Sequence, residues 1–116
     1  MKLSELSTDR AADVLCELAP YVMSITGDKG LIDTLQEKLG GEKKSVAEIY
    51  TFATKKLAAI VPIVLKEHRN DVFAILSILN ETSVDEIAKQ NILVTISQIR
   101  DIFNDKELMD FFKSWQ

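Results

Sequence analysis

The chain carries one histidine and one cysteine, so any acid-base, metal or thiol chemistry built on those residue types rests on His68 or Cys16. His68 stands in the run Lys66-Glu67-His68-Arg69-Asn70-Asp71, with Glu67 just before it and Asp71 close behind. Two carboxylates and an imidazole could transfer protons or hold a divalent ion. The competing reading is a cation near the C-terminus of a helix, in a solvated connection, where the helix dipole favours it. That reading is preferred, because the sequence has no His-Glu-x-x-His pair, no second histidine and no nucleophile beside an evident base. Cys16 lies one position off an apolar helical face without a basic patch around it, so it is expected to be a buried or boundary packing residue. A single cysteine also excludes an intramolecular disulfide and a cysteine-based zinc site. No catalytic residue, metal ligand or cofactor is assigned, and the chain is expected not to be an enzyme.

Two further stretches could bind rather than react. The C-terminal Leu108-Met109-Asp110-Phe111-Phe112-Lys113-Ser114-Trp115 concentrates large apolar side chains. On a helix Leu108, Phe112 and Trp115 share one stripe, which can close a bundle, while Phe111 lies elsewhere. The other apolar side is either more deeply buried or a docking surface, since aromatics and methionine are enriched at protein contacts. Met109, Phe111, Phe112 and Trp115 are therefore the candidate partner-binding residues. Ser83 to Ile102 has the look of a helix-turn-helix DNA reader, with the small Ala88 where two helices would cross. Ile92 stands where such a turn favours glycine, Asn91 replaces an apolar residue, and Arg100, the one cation of the second helix, is followed by Asp101. An ordinary helical pair packed on the core is preferred.

The elements that must position these residues are helical throughout. The organising stretch is Lys55 to Asn80, in which two apolar runs flank a charged break at Lys66 to Asp71. The first run holds Leu57, Ile60, Val61, Val64 and Leu65, and is apolar around most of its circumference, as a central helix is. Pro62 lies inside it and is expected to kink the helix without ending it. Ser45 and Glu48 have capping-box spacing and are expected to start this helix, which should run to about His68. Asn70 is placed as the cap of the following helix, which closes at Asn80 to Thr82.

Upstream, Ser7 or Thr8 can cap a first helix with Ala11, Val14, Leu15, Leu18, Val22 and Ile25 on one face. Gly27 is its expected stop, and Pro20 predicts either a kink or two short helices meeting near Ala19. Asp28 to Leu39 reads as a shorter amphipathic helix ended by Gly40-Gly41. Downstream, Ser83 and Glu86 repeat the capping-box spacing, and Ile92, Ile96, Ile99, Ile102 and Phe103 mark a further helix that could be continuous with the preceding one. Asn104 and Glu107 form a third such pair before the last helix.

No segment alternates polar and apolar residues as a half-buried strand does. The 116 residues, 47% of them hydrophobic, suffice for one domain spanning 1–116. The expected fold is all-α, a compact single-domain bundle or orthogonal array of roughly six or seven helices around a long central proline-containing helix. The net charge of −4 is spread along the chain without a basic block, which argues against nucleic acid as partner. The charged N-terminus predicts no signal peptide, and the longest apolar run, Leu57 to Leu65, falls far short of the ~20 residues that cross a bilayer.

Three segments carry a resemblance: Asp13 to Val22 (DVLCELAPYV), Ile60 to Asn91 (IVPIVLKEHRNDVFAILSILNETSVDEIAKQN) and Ile99 to Trp115 (IRDIFNDKELMDFFKSW). In these the chain resembles the tail assembly chaperone family of long-tailed bacteriophages and prophages of Gram-positive bacteria. Pro20, Pro62 and the spacing from His68 to Asp71 are its most distinctive points, and the likeness omits Ser24 to Glu48. It implies a small non-enzyme of the host cytoplasm, not carried into the mature virion. Such a protein binds the long, aggregation-prone tape measure protein before the tail tube polymerises around it. It further implies the tail tube protein and a longer frameshifted form of the same chain as partners, and a homo-oligomer as an option. A helix-turn-helix regulator using Ser83 to Ile102 and another small helical adaptor are the alternatives.

Overall fold

A computed structural model describes residues 5–38, 48 and 55–114, the last four by their backbone alone. Among these residues there are six helices and no strand: α1 Thr8–Thr26, α2 Lys29–Lys38, α3 Leu57–Leu79, α4 Val84–Lys89, α5 Ile92–Asn104 and α6 Lys106–Ser114. The all-α expectation holds.

α1 begins where the sequence places it. The Ser7 hydroxyl accepts from the Arg10 amide at 3.2 Å, and Asp9 lies in the first turn, where the helix dipole favours a negative charge. Val14, Leu18 and Val22, four residues apart, form its buried line. At its end the Gly27 amide donates to the Met23 carbonyl at 2.9 Å. A Cβ at Gly27 would stand 2.8 Å from that same oxygen, so glycine is required by close approach. α1 is one helix and does not divide near Ala19.

Pro20 and Pro62 both lie inside helices, and both face solvent. Each removes one backbone donor, leaving the carbonyls of Cys16 and Ala58 without their helical partner. Cys16 and Ala58 are exposed residues too, so water can satisfy those oxygens. This is why neither proline interrupts its helix. The non-helical residue inside α3 is His68, with φ −123° and ψ 29°. The break therefore falls inside the charged run and away from Pro62, and it occupies one residue. The two central helices become one bent element, and Asn70 lies within it. At its start α3 also differs from expectation: Lys56, at φ −123° and ψ 36°, is not helical, so α3 begins at Leu57. Of the Ser45–Glu48 pair only Glu48 is among the described residues.

α3 is the hub, packing on α1, α2, α4 and α5. Against α1 and α6, Leu79 joins Val14, Leu18, Val22, Leu108 and Met109 in one apolar cluster. Leu31 and Leu35 of α2 close on Ile60, and Ile87 of α4 closes on Val72 and Leu76. The bend at His68 lies between the α2 contact and the α4 contact.

The turn after α3 carries strain. The Asn80 amide donates to the Leu76 carbonyl at 2.9 Å and the Thr82 amide reaches back to the Ser77 carbonyl at 3.1 Å, a Schellman closure. Its left-handed position, φ 53°, is filled by Glu81 where glycine is usual. A left-handed side chain costs about 1–2 kcal/mol, partly offset by the entropy that glycine loses on folding. Glu81→Gly is therefore expected to stabilise the fold by about 0.5–1 kcal/mol in urea unfolding. An unchanged or lowered midpoint would show that the Glu81 side chain compensates.

The Ser83 hydroxyl caps α4, accepting from the Glu86 amide at 3.1 Å, and the Glu86 carboxylate accepts from the Thr82 hydroxyl. α4 and α5 are separate, because Gln90 and Asn91 leave the helical region. α6 is capped by Asp105, whose Oδ1 accepts from the Leu108 amide at 3.2 Å; Asn104 instead ends α5.

Candidate functional site

His68 is 8% exposed, so it is a core residue and not part of a solvated connection. Its Nε2 lies 2.7 Å from Asp28 Oδ2 and its Nδ1 lies 2.8 Å from Asp71 Oδ2. Ionised carboxylates only accept hydrogen bonds, so donating at both ends requires a proton on each ring nitrogen. The arrangement suits an imidazolium bonded at both ends to carboxylates.

Each partner is itself positioned. Asp28 follows the Gly27 stop, and its other oxygen, Oδ1, caps α2 by accepting from the Leu31 amide at 3.1 Å. Asp71 lies one turn beyond His68 on α3, and its Oδ2 also accepts from the Ser24 hydroxyl of α1 at 2.8 Å. The non-helical backbone at His68 accompanies a ring bonded to the α1–α2 corner at one nitrogen and to its own helix at the other. Three segments meet in this cluster, α1 through the Ser24 bond to Asp71.

Burial would lower the pKa of His68, but the hydrogen bonds to Asp71 and Asp28 and the charges of both outweigh it, so the pKa is raised above 6.5. The Asp28 carboxyl is lowered from 3.8, first by its bond from His68 and then by that from the Leu31 amide.

This geometry stabilises charge and is ill suited to catalysis. A general base needs a ring lone pair facing the proton it takes, and both nitrogens of His68 face carboxylates. Ser24 donates to the Asp71 carboxylate and not to the imidazole, so the serine–histidine pair of a nucleophilic site is not formed. The carboxylates lie at opposite ends of the ring, where one ion could not meet all three groups. Among the described residues no set of three His, Cys, Asp or Glu side chains is arranged to hold a metal ion.

The binding candidates divide differently. Met109 is 7% exposed and belongs to the core with Leu108. The side chains of Phe111 and Phe112, and the whole of Trp115, lie outside the described residues. Cys16 is exposed on α1, contrary to the packing role expected of it.

The largest departure is at the start of α5. Its inward positions are Thr95, Ile99 and Ile102, and Thr95 at 3% exposure is the most deeply buried residue of this helix. Gln90 accounts for the buried threonine: its Nε2 donates to Thr95 Oγ1 at 2.9 Å and to Gln98 Oε1 at 2.6 Å. Asn91 Oδ1 caps the helix from the Leu93 amide at 2.8 Å. In this first turn Ile92, Leu93 and Val94 are 54%, 71% and 46% exposed. A recognition helix would offer this end to base edges, and it carries three apolar side chains and no cation.

No known protein family, curated protein or solved structure matches this chain. The site is therefore read from its own chemistry. An apolar, partly open pocket of about 160 Å³ is walled by Leu35, Ile60, Val64, Leu76, Ile102 and Phe103 among others. Leu35 and Leu57, on either side of residues 39–54, both line it.

The sequence contained signals for what was missed. Three consecutive apolar residues cannot share one helical face at 100° per residue, so Ile92-Leu93-Val94 had to leave part of itself outward. Asp28 lies forty residues from His68, and its place at a helix start marks it as a cap without indicating what its second oxygen would meet.

Proposed function

We propose that this chain is a non-catalytic protein-binding domain that shields an apolar helical client, in the manner of a tail assembly chaperone on a tape measure protein. The observation that carries the reading is the run Ile92-Leu93-Val94, exposed on a turn fixed by Gln90 and Asn91. Single exposed apolar residues are ordinary, but a run of three ordered by its own caps is a feature of contact surfaces. The three segments resembling the chaperone family supply the identity of the client. Weak apolar contacts repeated by many copies along one client would add through avidity and could still be displaced by tail tube subunits. Phe111, Phe112 and Trp115 are proposed to extend the contact.

Co-expression with a tape measure protein encoded beside this gene tests the reading. Ile92→Ser with Leu93→Ser is expected to leave the circular dichroism spectrum intact and stability within about 0.5 kcal/mol. Recovery of the client should fall by about tenfold, a loss of about 1.4 kcal/mol in binding. A folded double variant that retains its client would refute the placement. A gel shift at low salt separates the regulator reading, since duplex binding without client capture would favour it.

A further inference from the structure

We propose that Asp28, His68 and Asp71 form a proton-operated latch, which fastens α2 to the bend of α3 while His68 is doubly protonated and releases it when one ring proton is lost. The inference does not depend on the client proposed above. It starts from geometry: a buried ring, two carboxylates within 2.8 Å of its two nitrogens, and the one non-helical residue inside a 23-residue helix. Among the described residues the charges acting on the ring are Asp28, from the α1–α2 corner, and Asp71, from α3 itself. α1 adds the neutral hydroxyl of Ser24, through Asp71. The neighbouring Lys66, Glu67 and Arg69 on α3 are exposed, and no charge from α4 or α5 acts on the ring.

A neutral imidazole keeps one N–H. The other nitrogen then points a lone pair at a carboxylate oxygen less than 3 Å away, which is repulsive. The two sides are unequal. Asp71 is 23% exposed, lies on the same helix and is held by Ser24. Asp28 is 35% exposed and stands in a turn. The remaining proton therefore stays at Nδ1 on Asp71, and Asp28 is the arm that yields.

Releasing Asp28 loosens α2 because that residue serves two roles. Its Oδ1 caps the helix and its Oδ2 fastens it to α3. α2 has ten residues, too few to be stable alone, and its other anchors are Leu31 and Leu35 on Ile60. Ile32 and Leu35 form part of the pocket wall, so the proton on His68 controls how firmly that wall is held.

With one histidine in the chain, its ring resonances can be followed by NMR without assignment ambiguity. In the full chain, a titration from pH 5.5 to 9 is expected to place the His68 midpoint above 6.5. The amides of Asp28 to Leu35 should shift with the same midpoint, while those of Arg10 to Val14 stay in place. Asp28→Asn keeps a capping oxygen but removes the charge. It should lower the His68 midpoint and uncouple the α2 amides from it. α2 amides that do not respond as His68 titrates, or a midpoint at or below 6.5, would overturn the latch. A midpoint unchanged by Asp28→Asn would do so as well.

Discussion

Leu18→Ala is expected to lower the free energy of unfolding by about 3–4 kcal/mol, the largest loss from any single truncation proposed for this chain. Leu18 is 0% exposed and sits where α1, the end of α3 and α6 converge, touching the cluster of Val14, Val22, Leu79, Leu108 and Met109. Truncation removes apolar contact on all sides, and the rigid helices around the site can collapse only partly into the gap. A domain of this size has roughly 5–15 kcal/mol in total, so the variant should unfold about 12 °C lower in a thermal scan. Leu93→Ala is the internal control: at 71% exposure it should shift stability by less than about 0.5 kcal/mol. A loss below about 1 kcal/mol for Leu18→Ala would mean that α1 is not the second layer of this core.

The contrast between those two leucines shows what periodicity does and does not encode. In α1 the apolar residues recur every four positions, so one face was forced and Val14, Leu18 and Val22 were legible from spacing alone. In α5 the expected stripe holds at Ile99, Ile102 and Phe103, which pack on the core, and fails at its first member, Ile92, which is exposed. Ile92, Thr95 and Ile99 share one face, and at the start of the helix that face is closed by Thr95, bonded to Gln90. A side-chain amide bond of this kind leaves no hydrophobic signal. The prolines present the opposite case. Their chemistry predicts a disturbance, and facing solvent removes it.

Capping was legible wherever the bond stays within one turn, as at Ser7 and Ser83. It was displaced by one residue at α6, where Asp105 and not Asn104 accepts from the Leu108 amide. The His68 cluster was half legible. Asp71 is a neighbour in sequence, whereas Asp28 and Ser24 reach the cluster through the packing of α1 on α3, which only the fold supplies. Burial of His68 follows from the same packing. It turned a residue read as a solvated cation into the centre of a cluster that joins three segments.

His68→Gln is expected to cost about 2 kcal/mol at pH 6, and the cost should shrink as the pH rises. The substitution removes two charge-assisted bonds at a position 8% exposed, and solvent around the two carboxylates, 35% and 23% exposed, keeps the loss below that of a fully buried pair. The direction with pH follows from linkage. His68 binds its proton more tightly folded than unfolded, so its contribution is complete below about pH 6.5 and is lost as the pH climbs through the raised folded value. On the acid side, the lowered Asp28 carboxyl contributes above 3.8 and loses its share as the pH falls through the lower folded value. Both shifts describe the same contacts and are counted once. The native chain should therefore be most stable from about pH 4 to 6.5, and urea unfolding at pH 6 and pH 9 measures the alkaline slope. His68→Gln should be nearly flat over that interval, its curve meeting that of the native chain at the alkaline end. If the two curves instead stay parallel, the ring supports the bend of α3 by packing and its proton carries no part of the stability.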